Sequence, residues 1–285
     1  MLAVAAVAGC ANSASSSASA AAPGGGTASA DVTAVIKQAA GVQVTSVAGT
    51  TQIHLTTASG ATSGSAGTAG VTEDITATFS ERLKPSLTAS FDATTLTVNG
   101  KPLPGGISEV LTPSTVYLKS SELTKALKQS RPWLSVSTAQ LGRGSGINIG
   151  QLLSGATDSG PASQNQMLAG ASAVHQVGTS TLDGVPVTEY TGTIDIAKAI
   201  DALPAADRAG LQRVLQQAGL TTEKFTAWID GAHRVRKSVV KASSSKFSET
   251  ATTAITSVNQ PVTVTVPPAS ETAPLSGQSL QGGLG

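Results

Sequence analysis

Residues 75–91 read ITATFSERLKPSLTASF, and this stretch decides the class of fold. Apolar residues alternate with polar ones before and after Lys84-Pro85, at Ile75, Ala77 and Phe79 and then at Leu87, Ala89 and Phe91. Alternation of period two is typical of strands, because successive side chains point to opposite faces. The stretch therefore predicts two strands of an antiparallel sheet with one face in water.

The same alternation recurs toward both ends of the chain, at Ile53, Leu55 and Thr57 and at Val262, Val264 and Val266. Three dipeptides between apolar runs, Asn99-Gly100, Asp183-Gly184 and Asp230-Gly231, favour the positive φ angles of tight hairpins. We therefore expect a sheet that is built largely from hairpins.

Helical spacing is confined to a few short segments. Asp31, Ser121, Asp195 and Pro204 mark their predicted starts. Each segment has a narrow apolar face, which is typical of a helix that lies against a sheet. The predicted fold class is α+β.

The N-terminal residues indicate export and lipidation. Residues 1–9 are almost wholly apolar, and Val7-Ala8-Gly9-Cys10 matches the lipobox of bacterial lipoproteins, in which the cysteine is acylated before cleavage. We interpret residues 1–9 as part of a lipoprotein signal peptide and Cys10 as the lipidation site. Nine apolar residues are too few to cross a bilayer.

The chain divides into a tether, one domain and a tail. Residues 10–30 are rich in Ser, Ala and Gly and have no charged or aromatic residue, so they are predicted to form a flexible tether. Residues 31–268 are predicted to form a single domain. Residues 269–285 are predicted to be a disordered tail.

Composition and motifs argue against several function classes. A net charge of +1 with 12% charged residues gives no field that gathers nucleic acid. His54, His175 and His233 lack the spacing of a zinc site, and no nucleophile elbow or phosphate-binding loop occurs. We therefore predict no catalytic residues, no metal, no cofactor and no nucleic-acid partner. The basic run from His233 to Lys241 is interpreted as a solvated strand face in preference to a contact with lipid headgroups.

Six segments, taken in order, give the chain a likeness to a known family. It resembles the LppX and LprG-type lipoproteins of actinobacteria, whose fold is related to the LolA and LolB carriers. The segments are VYLK (116–119), RPWLSV (131–136), GVPVTEY (184–190), TID (193–195), FTAWIDG (225–231) and PVTV (261–264).

The resemblance implies a strongly curved antiparallel sheet, an incomplete barrel, that is covered by short helices. It also implies an internal apolar cavity that holds the acyl chains of a lipid or glycolipid. On this basis we expect a lipid-binding lipoprotein on the extracytoplasmic face of the cell membrane, with envelope transport proteins among its partners.

Two hypotheses for the interior remain open at this point. The first is a lipid cavity, for which inward strand positions and helix stripes suggest Phe79, Phe91, Leu118, Leu211 and Leu215 as lining residues. For each of these, ordinary core packing is the competing interpretation. The second hypothesis is a lipid-anchored protein–protein interaction module that has a fully packed core and no ligand.

Overall fold

The structure of this chain is a computed structural model. It describes residues 29–58, 70–138, 165–203 and 218–275, with residues 208, 212, 215 and 216 between the last two ranges. Within these ranges the chain forms one large sheet with a few short helices. The predicted α+β class is confirmed.

Three helices have both ends within the described residues, and two of them begin where the sequence predicts. They are α1 (Ser29–Gly41), α2 (Ser121–Ala126) and α3 (Ile196–Ala202). The Asp195 side chain caps α3 by accepting a hydrogen bond of 3.2 Å from the Lys198 backbone N–H, and Ser120 caps α2 in the same way through Leu123 N–H. Two 3₁₀ turns lie at Leu168–Gly170 and Ala269–Glu271.

Thirteen strands form the sheet within the described residues. In chain order they are β1 (Ser46–Thr57), β2 (Thr72–Arg82), β3 (Thr88–Val98), β4 (Lys101–Pro102), β5 (Ile107–Leu111), β6 (Thr115–Ser120), β7 (Trp133–Ser137), β8 (Ala171–Leu182), β9 (Val185–Asp195), β10 (Thr222–Asp230), β11 (Val235–Ser243), β12 (Phe247–Val258) and β13 (Thr272–Pro274).

The sheet is open. Its strand order is β13-β7-β6-β5-β3-β2-β1-β12-β11-β10-β9-β8, and β4 pairs with β3 beside this path. Neighbours are antiparallel except β13 and β7, which are parallel. Because β8 and β13 lie at opposite ends of this order, the curved sheet is an incomplete barrel, as predicted.

Two of the three predicted hairpin turns are confirmed by their backbone angles. Asn99 and Gly100 have φ of 51° and 71°, and Asp183 and Gly184 have φ of 49° and 78°. At Asp230-Gly231 the predicted hairpin forms between β10 and β11, but its turn is longer than two residues. In that connection the positive φ, 58°, belongs to His233.

One face of the sheet is buried, and we call it the inner face. It carries Ile53, Ala77, Phe225 and Ala251, each no more than 2% exposed. At the β8 to β12 end it packs against α1 and α3, through residues such as Ile36 and Ala199. The opposite, outer face is lined mainly by Thr, Ser and Lys.

The folded chain extends beyond the predicted domain end at residue 268. β13 pairs with β7, and Ala273 and Leu275 are buried in the same cluster as Leu134. Arg131 Nη1 donates hydrogen bonds to the carbonyl oxygens of Ala269 (3.2 Å) and Thr272 (2.5 Å). Residues 269–275 are therefore part of the domain, in contrast to the predicted tail.

Candidate functional site: the inner face of the sheet

Three of the predicted lining residues lie in one row across the inner face. Phe79 of β2 is opposite Phe91 of β3, which is opposite Glu109 of β5, which is opposite Leu118 of β6. Directly opposed residues of antiparallel strands share a face. We call Phe79, Phe91, Glu109 and Leu118 the central row.

The members of the central row differ in burial. Phe79 is 5% exposed and packs with Val47, Ile255 and Val258. Phe91 and Leu118 are only half-buried. The two half-buried side chains leave apolar area available on the inner face, whereas Phe79 belongs to the packed core.

Of the two remaining predicted lining residues, the structure describes Leu215, which lies outside this row. Leu215 is half-buried and packs against the cluster that joins α1 and α3 to β8–β11, on the other half of the sheet. Leu211 lies outside the described residues, as does Cys10.

Glu109, which was not among the predicted residues, lies in the middle of this apolar row. Burial between Phe91 and Leu118 raises the pKa of the Glu109 carboxyl to about 7. The signal was available in the sequence, because Glu109 alternates with Ile107 and Leu111 and so must share their face.

A second row of the inner face, near the β11–β12 turn, carries further carboxyl groups. Glu223 of β10 is opposite Ala242 of β11, which is opposite Glu249 of β12, which is opposite Leu55 of β1. We call this the end row.

Glu73 of β2 continues the end row on the far side of Leu55. Two contacts fix the register of β1 and β2: Ser46 is opposite Arg82, and Thr57 N–H donates to the Val71 carbonyl at 2.8 Å. Both agree with one unbroken antiparallel register, which sets Leu55 opposite Glu73.

The carboxyl groups of the end row are held in an apolar environment. Burial raises the pKa of Glu223 to about 7. Burial, and secondarily the charge of Glu223, raises the pKa of Glu249 to about 8. Burial also raises the pKa of Glu73, which is 5% exposed. Burial is the main cause of all three raised pKa values, and a like charge adds to it at Glu249. No cation among the described residues lowers any of these pKa values.

A small cleft lies beside the inner face. Its lining includes Val47, Ile255 and Val258 of the sheet with Ala39 and Val42 near the end of α1, and its volume is about 10 Å³. That is room for about one water molecule and not for an acyl chain.

The histidines do not form a site within the described ranges. On the outer face His54 Nδ1 lies 2.7 Å from Asp74 Oδ1, with both side chains well exposed.

No three His, Cys, Asp or Glu side chains of the described residues are grouped so as to hold a metal ion. No helix in the described part of the chain is long and apolar enough to span a membrane.

Two members of the basic run that follows β10 contact neighbouring side chains. Arg234 Nε donates to Asp230 Oδ2 at 2.9 Å, and Lys237 Nζ lies 4.7 Å from the centre of the Trp228 ring. Both contacts are local to one hairpin, which agrees with the interpretation as a strand face.

Comparison with known proteins returns lipoproteins. The chain is 19% identical to lipoprotein LppX of Mycobacterium tuberculosis (84% of this chain, 100% of that one, TM-score 0.47). It is 17% identical to LprF of Mycobacterium bovis (85% and 99%, TM-score 0.46). The chain is also 8% identical to an outer membrane lipoprotein-sorting protein domain of Vibrio parahaemolyticus (80% of this chain, 90% of that one, TM-score 0.24). No family model and no curated protein matches.

The first two structures are of the kind that the sequence resemblance named.

Proposed function

We propose that this protein is a membrane-anchored lipoprotein that binds acyl chains of a lipid or glycolipid on its inner face and carries or presents them in the cell envelope. The observation that carries the proposal is the central row. Phe91 and Leu118 are large apolar side chains that face the concave side of an open sheet and are only half-buried. Apolar area in that position favours an apolar ligand.

The energetics suit a long chain and no covalent step. Each methylene removed from water contributes about 0.8 kcal/mol, so a chain of about twelve methylenes gains on the order of 10 kcal/mol before the cost of immobilising it. That gross gain is large enough to retain a lipid against dilution and small enough to release it to a membrane.

The anchor is the second part of the proposal. Lipid on Cys10, followed by residues 11–28 as a tether before α1, would hold the domain at the extracytoplasmic face of the membrane. A Cys10→Ser change should remove the acyl mass and release the protein from the membrane fraction. Retention of the Cys10→Ser protein in washed membranes would contradict this anchor.

The binding proposal is tested by native mass spectrometry of the full chain carrying Cys10→Ser, purified from a lipid-containing host. Stoichiometric co-purified lipid supports it. Titration with a fluorescent fatty acid then compares Leu118→Ser with Tyr117→Ser, a change at the adjacent, outward position of β6. We expect weaker binding only for Leu118→Ser. A lipid-free mass together with no fatty-acid uptake would refute the proposal.

One observation favours a second candidate function. The cleft beside Val47 and Ile255 holds no more than about one water molecule. A cleft too small for an acyl chain suits a lipid-anchored protein–protein interaction module. In that case fatty acids do not bind, and an envelope protein is the partner.

A further inference from the structure

We propose that the outer face of β10 and β11 docks on the surface of an anionic phospholipid bilayer through Lys224 and Lys241. The inference goes beyond the binding of acyl chains on the inner face, and it uses from the proposed function only the anchor at Cys10. It is carried by the register of β10 and β11, which sets two exposed lysines directly opposite each other on one face.

The lysine pair is unfavourable for the fold on its own. Opposed residues of antiparallel strands lie roughly 5 Å apart between their Cα atoms, and like charges at such positions repel. Within the described residues, neither Lys224 nor Lys241 has a hydrogen bond or an ion pair that would offset this repulsion. An anionic surface that contacts both ammonium groups offsets it.

Hydroxyl groups flank the pair on both sides. Thr193 of β9 is opposite Lys224, and Thr250 of β12 is opposite Lys241. We call Thr193, Lys224, Lys241 and Thr250 the lysine row. Ammonium and hydroxyl groups both donate hydrogen bonds to phosphate oxygens, so the row suits a layer of phospholipid headgroups.

The carboxyl groups nearest to the lysine row do not neutralise it. Asp74, beyond one end of the row, lies 2.7 Å from His54 Nδ1, and Asp195, near the other end, lies 3.1 Å from Lys198 Nζ. The carboxyl groups of the end row point to the inner face. Burial raises their pKa values, to about 7 and about 8 in β10 and β12, so these two are largely protonated at pH 6.

The lysine row is more basic than the sequence alone indicates. Lys241 is the last cation of the run from His233 to Lys241, for which the sequence favours a solvated strand face. The pairing of β10 with β11 adds Lys224 directly beside it. A headgroup contact is therefore proposed for this end of the run and not for Arg234 or Lys237, which contact neighbouring side chains.

The lysine row lies at the end of the sheet where the proposed anchor enters the domain. α1 ends close to the last residue of β12, because Asn259 Nδ2 donates to the Gln43 carbonyl at 3.2 Å. At the opposite end of the sheet α1 contacts the 3₁₀ turn that precedes β8. The helix is about 20 Å long and runs between the two ends. Ser29, its first residue, is therefore at the end where β8 and β10 begin, which we call the tether end.

The charges at the tether end add to those of the lysine row. Three further exposed lysines lie there: Lys101, Lys128 and Lys246. Apart from the partners of two ion pairs, the exposed acidic side chains described at this end are Asp74, Asp201 and Glu271. Positive charge therefore exceeds negative charge here, which is complementary to an anionic bilayer.

The anchor makes a weak electrostatic contact effective. Each lysine near an anionic surface strengthens binding about fivefold. The proposed tether, residues 11–28, has an end-to-end distance of roughly 25 Å, which would keep the lysine row within reach of the headgroups. Docking is then an intramolecular step and needs no high affinity.

The test measures flotation of the full chain carrying Cys10→Ser with vesicles at pH 6 and low ionic strength. The vesicles consist of phosphatidylcholine alone or with an equal part of phosphatidylglycerol. We expect stronger binding to the mixed vesicles, and about thirtyfold weaker binding to them for Lys224→Gln/Lys241→Gln. The matched control is Lys37→Gln/Lys84→Gln, which removes the same charge from exposed lysines of α1 and the β2–β3 connection. It should bind like the parent protein.

A single label reports which end of the sheet meets the bilayer. Cys10 is the only cysteine, so the Cys10→Ser protein can be labelled at one introduced cysteine. An environment-sensitive fluorophore at Ser243→Cys, next to the lysine row on β11, should shift to the blue on mixed vesicles. The same fluorophore at Asp183→Cys, in the β8–β9 turn, should not.

The outcomes separate this inference from the proposed function. Equal losses in the two double variants, or equal binding to the two kinds of vesicle, would refute docking through the lysine row. Displacement by inorganic phosphate at constant ionic strength would make the row a site for a free anion and overturn the bilayer as its partner. Fatty-acid uptake should be the same in Lys224→Gln/Lys241→Gln and the parent, so failure of docking leaves the lipid-binding proposal standing. Thermal unfolding of each variant checks that it is folded.

Discussion

The ring of Phe79 lies directly over Gly49. A Cβ atom added at Gly49 would lie 2.9 Å from Phe79 Cζ and closer still to the backbone oxygen of Ala254. The glycine is at the position where β1 shifts register against β12. Because Gly49 has no side chain, the ring of Phe79 can pack directly against β1. Phe79 is the first residue of the central row.

The Gly49→Ala variant should therefore be destabilised. Overpacking against a backbone oxygen and an aromatic ring costs about 1–3 kcal/mol of unfolding free energy. Urea unfolding measures it, with Gly178→Ala as the control, because a Cβ atom at Gly178 meets nothing within 4 Å. Equal stability of the two variants would show that Phe79 and β12 move away from residue 49 at no cost.

Asp230 organises the connection between β10 and β11. Its side chain is 3% exposed and accepts hydrogen bonds from Ala232 N–H at 2.9 Å, Arg234 N–H at 3.0 Å and Arg234 Nε at 2.9 Å. Asp230→Ala leaves these donors without their acceptor, so we expect a loss of about 3 kcal/mol in unfolding free energy. Asp92→Ala, at an exposed position of β3, should cost less than about 0.5 kcal/mol. A loss as small for Asp230→Ala would contradict this role.

Glu109 should make the stability of the domain fall as pH rises. Its pKa is about 7 in the folded protein against 4.5 for an ordinary glutamate, so between these values the folded state holds a proton that the unfolded state has lost. The contribution of protonated Glu109 to the free energy of unfolding is fully present below about pH 4.5 and is lost by about pH 7. Its size is on the order of 3 kcal/mol.

Glu109→Gln tests this directly, because glutamine keeps the shape and does not titrate. We expect the variant to match the parent protein near pH 4.5 and to be more stable than it at pH 8. Glu271→Gln, at an exposed position, should leave the pH profile unchanged. Parallel profiles for Glu109→Gln and the parent would mean that Glu109 ionises at its ordinary pKa.

Much of the fold could be predicted from the sequence because local signals and tertiary structure agree. The alternation of residues 75–91 predicts β2 and β3, and Asp195 caps α3 as its position before an apolar stripe suggests.

The prediction of a strand failed where alternation was the only signal for it. The alternating valines at 262, 264 and 266 form no strand, although they follow strand periodicity. Pro261 and Pro267 on either side lack the N–H groups that a ladder needs.

The candidate site was harder to predict because it depends on register between distant strands. Alternation shows that Phe91 and Leu118 point inward, but only the pairing through β5 places Glu109 between them. The end row joins residues 73, 223 and 249, which no local pattern connects.

Arg131 holds β13 against the sheet through hydrogen bonds. Replacing Arg131 should let β13 detach from β7 without unfolding the rest of the domain. Its guanidinium donates to the carbonyl oxygens of Ala269 and Thr272, while Leu275 N–H donates to Ser135 O at 2.8 Å. In Arg131→Ala we expect the Leu275 amide to exchange about tenfold faster with deuterium, because β13 is an edge strand held by few other bonds. Lys125→Ala, a change at an exposed lysine of α2, is the control. If amides of β2 and β12 accelerate equally in Arg131→Ala, the arginine stabilises the whole domain and not the edge alone.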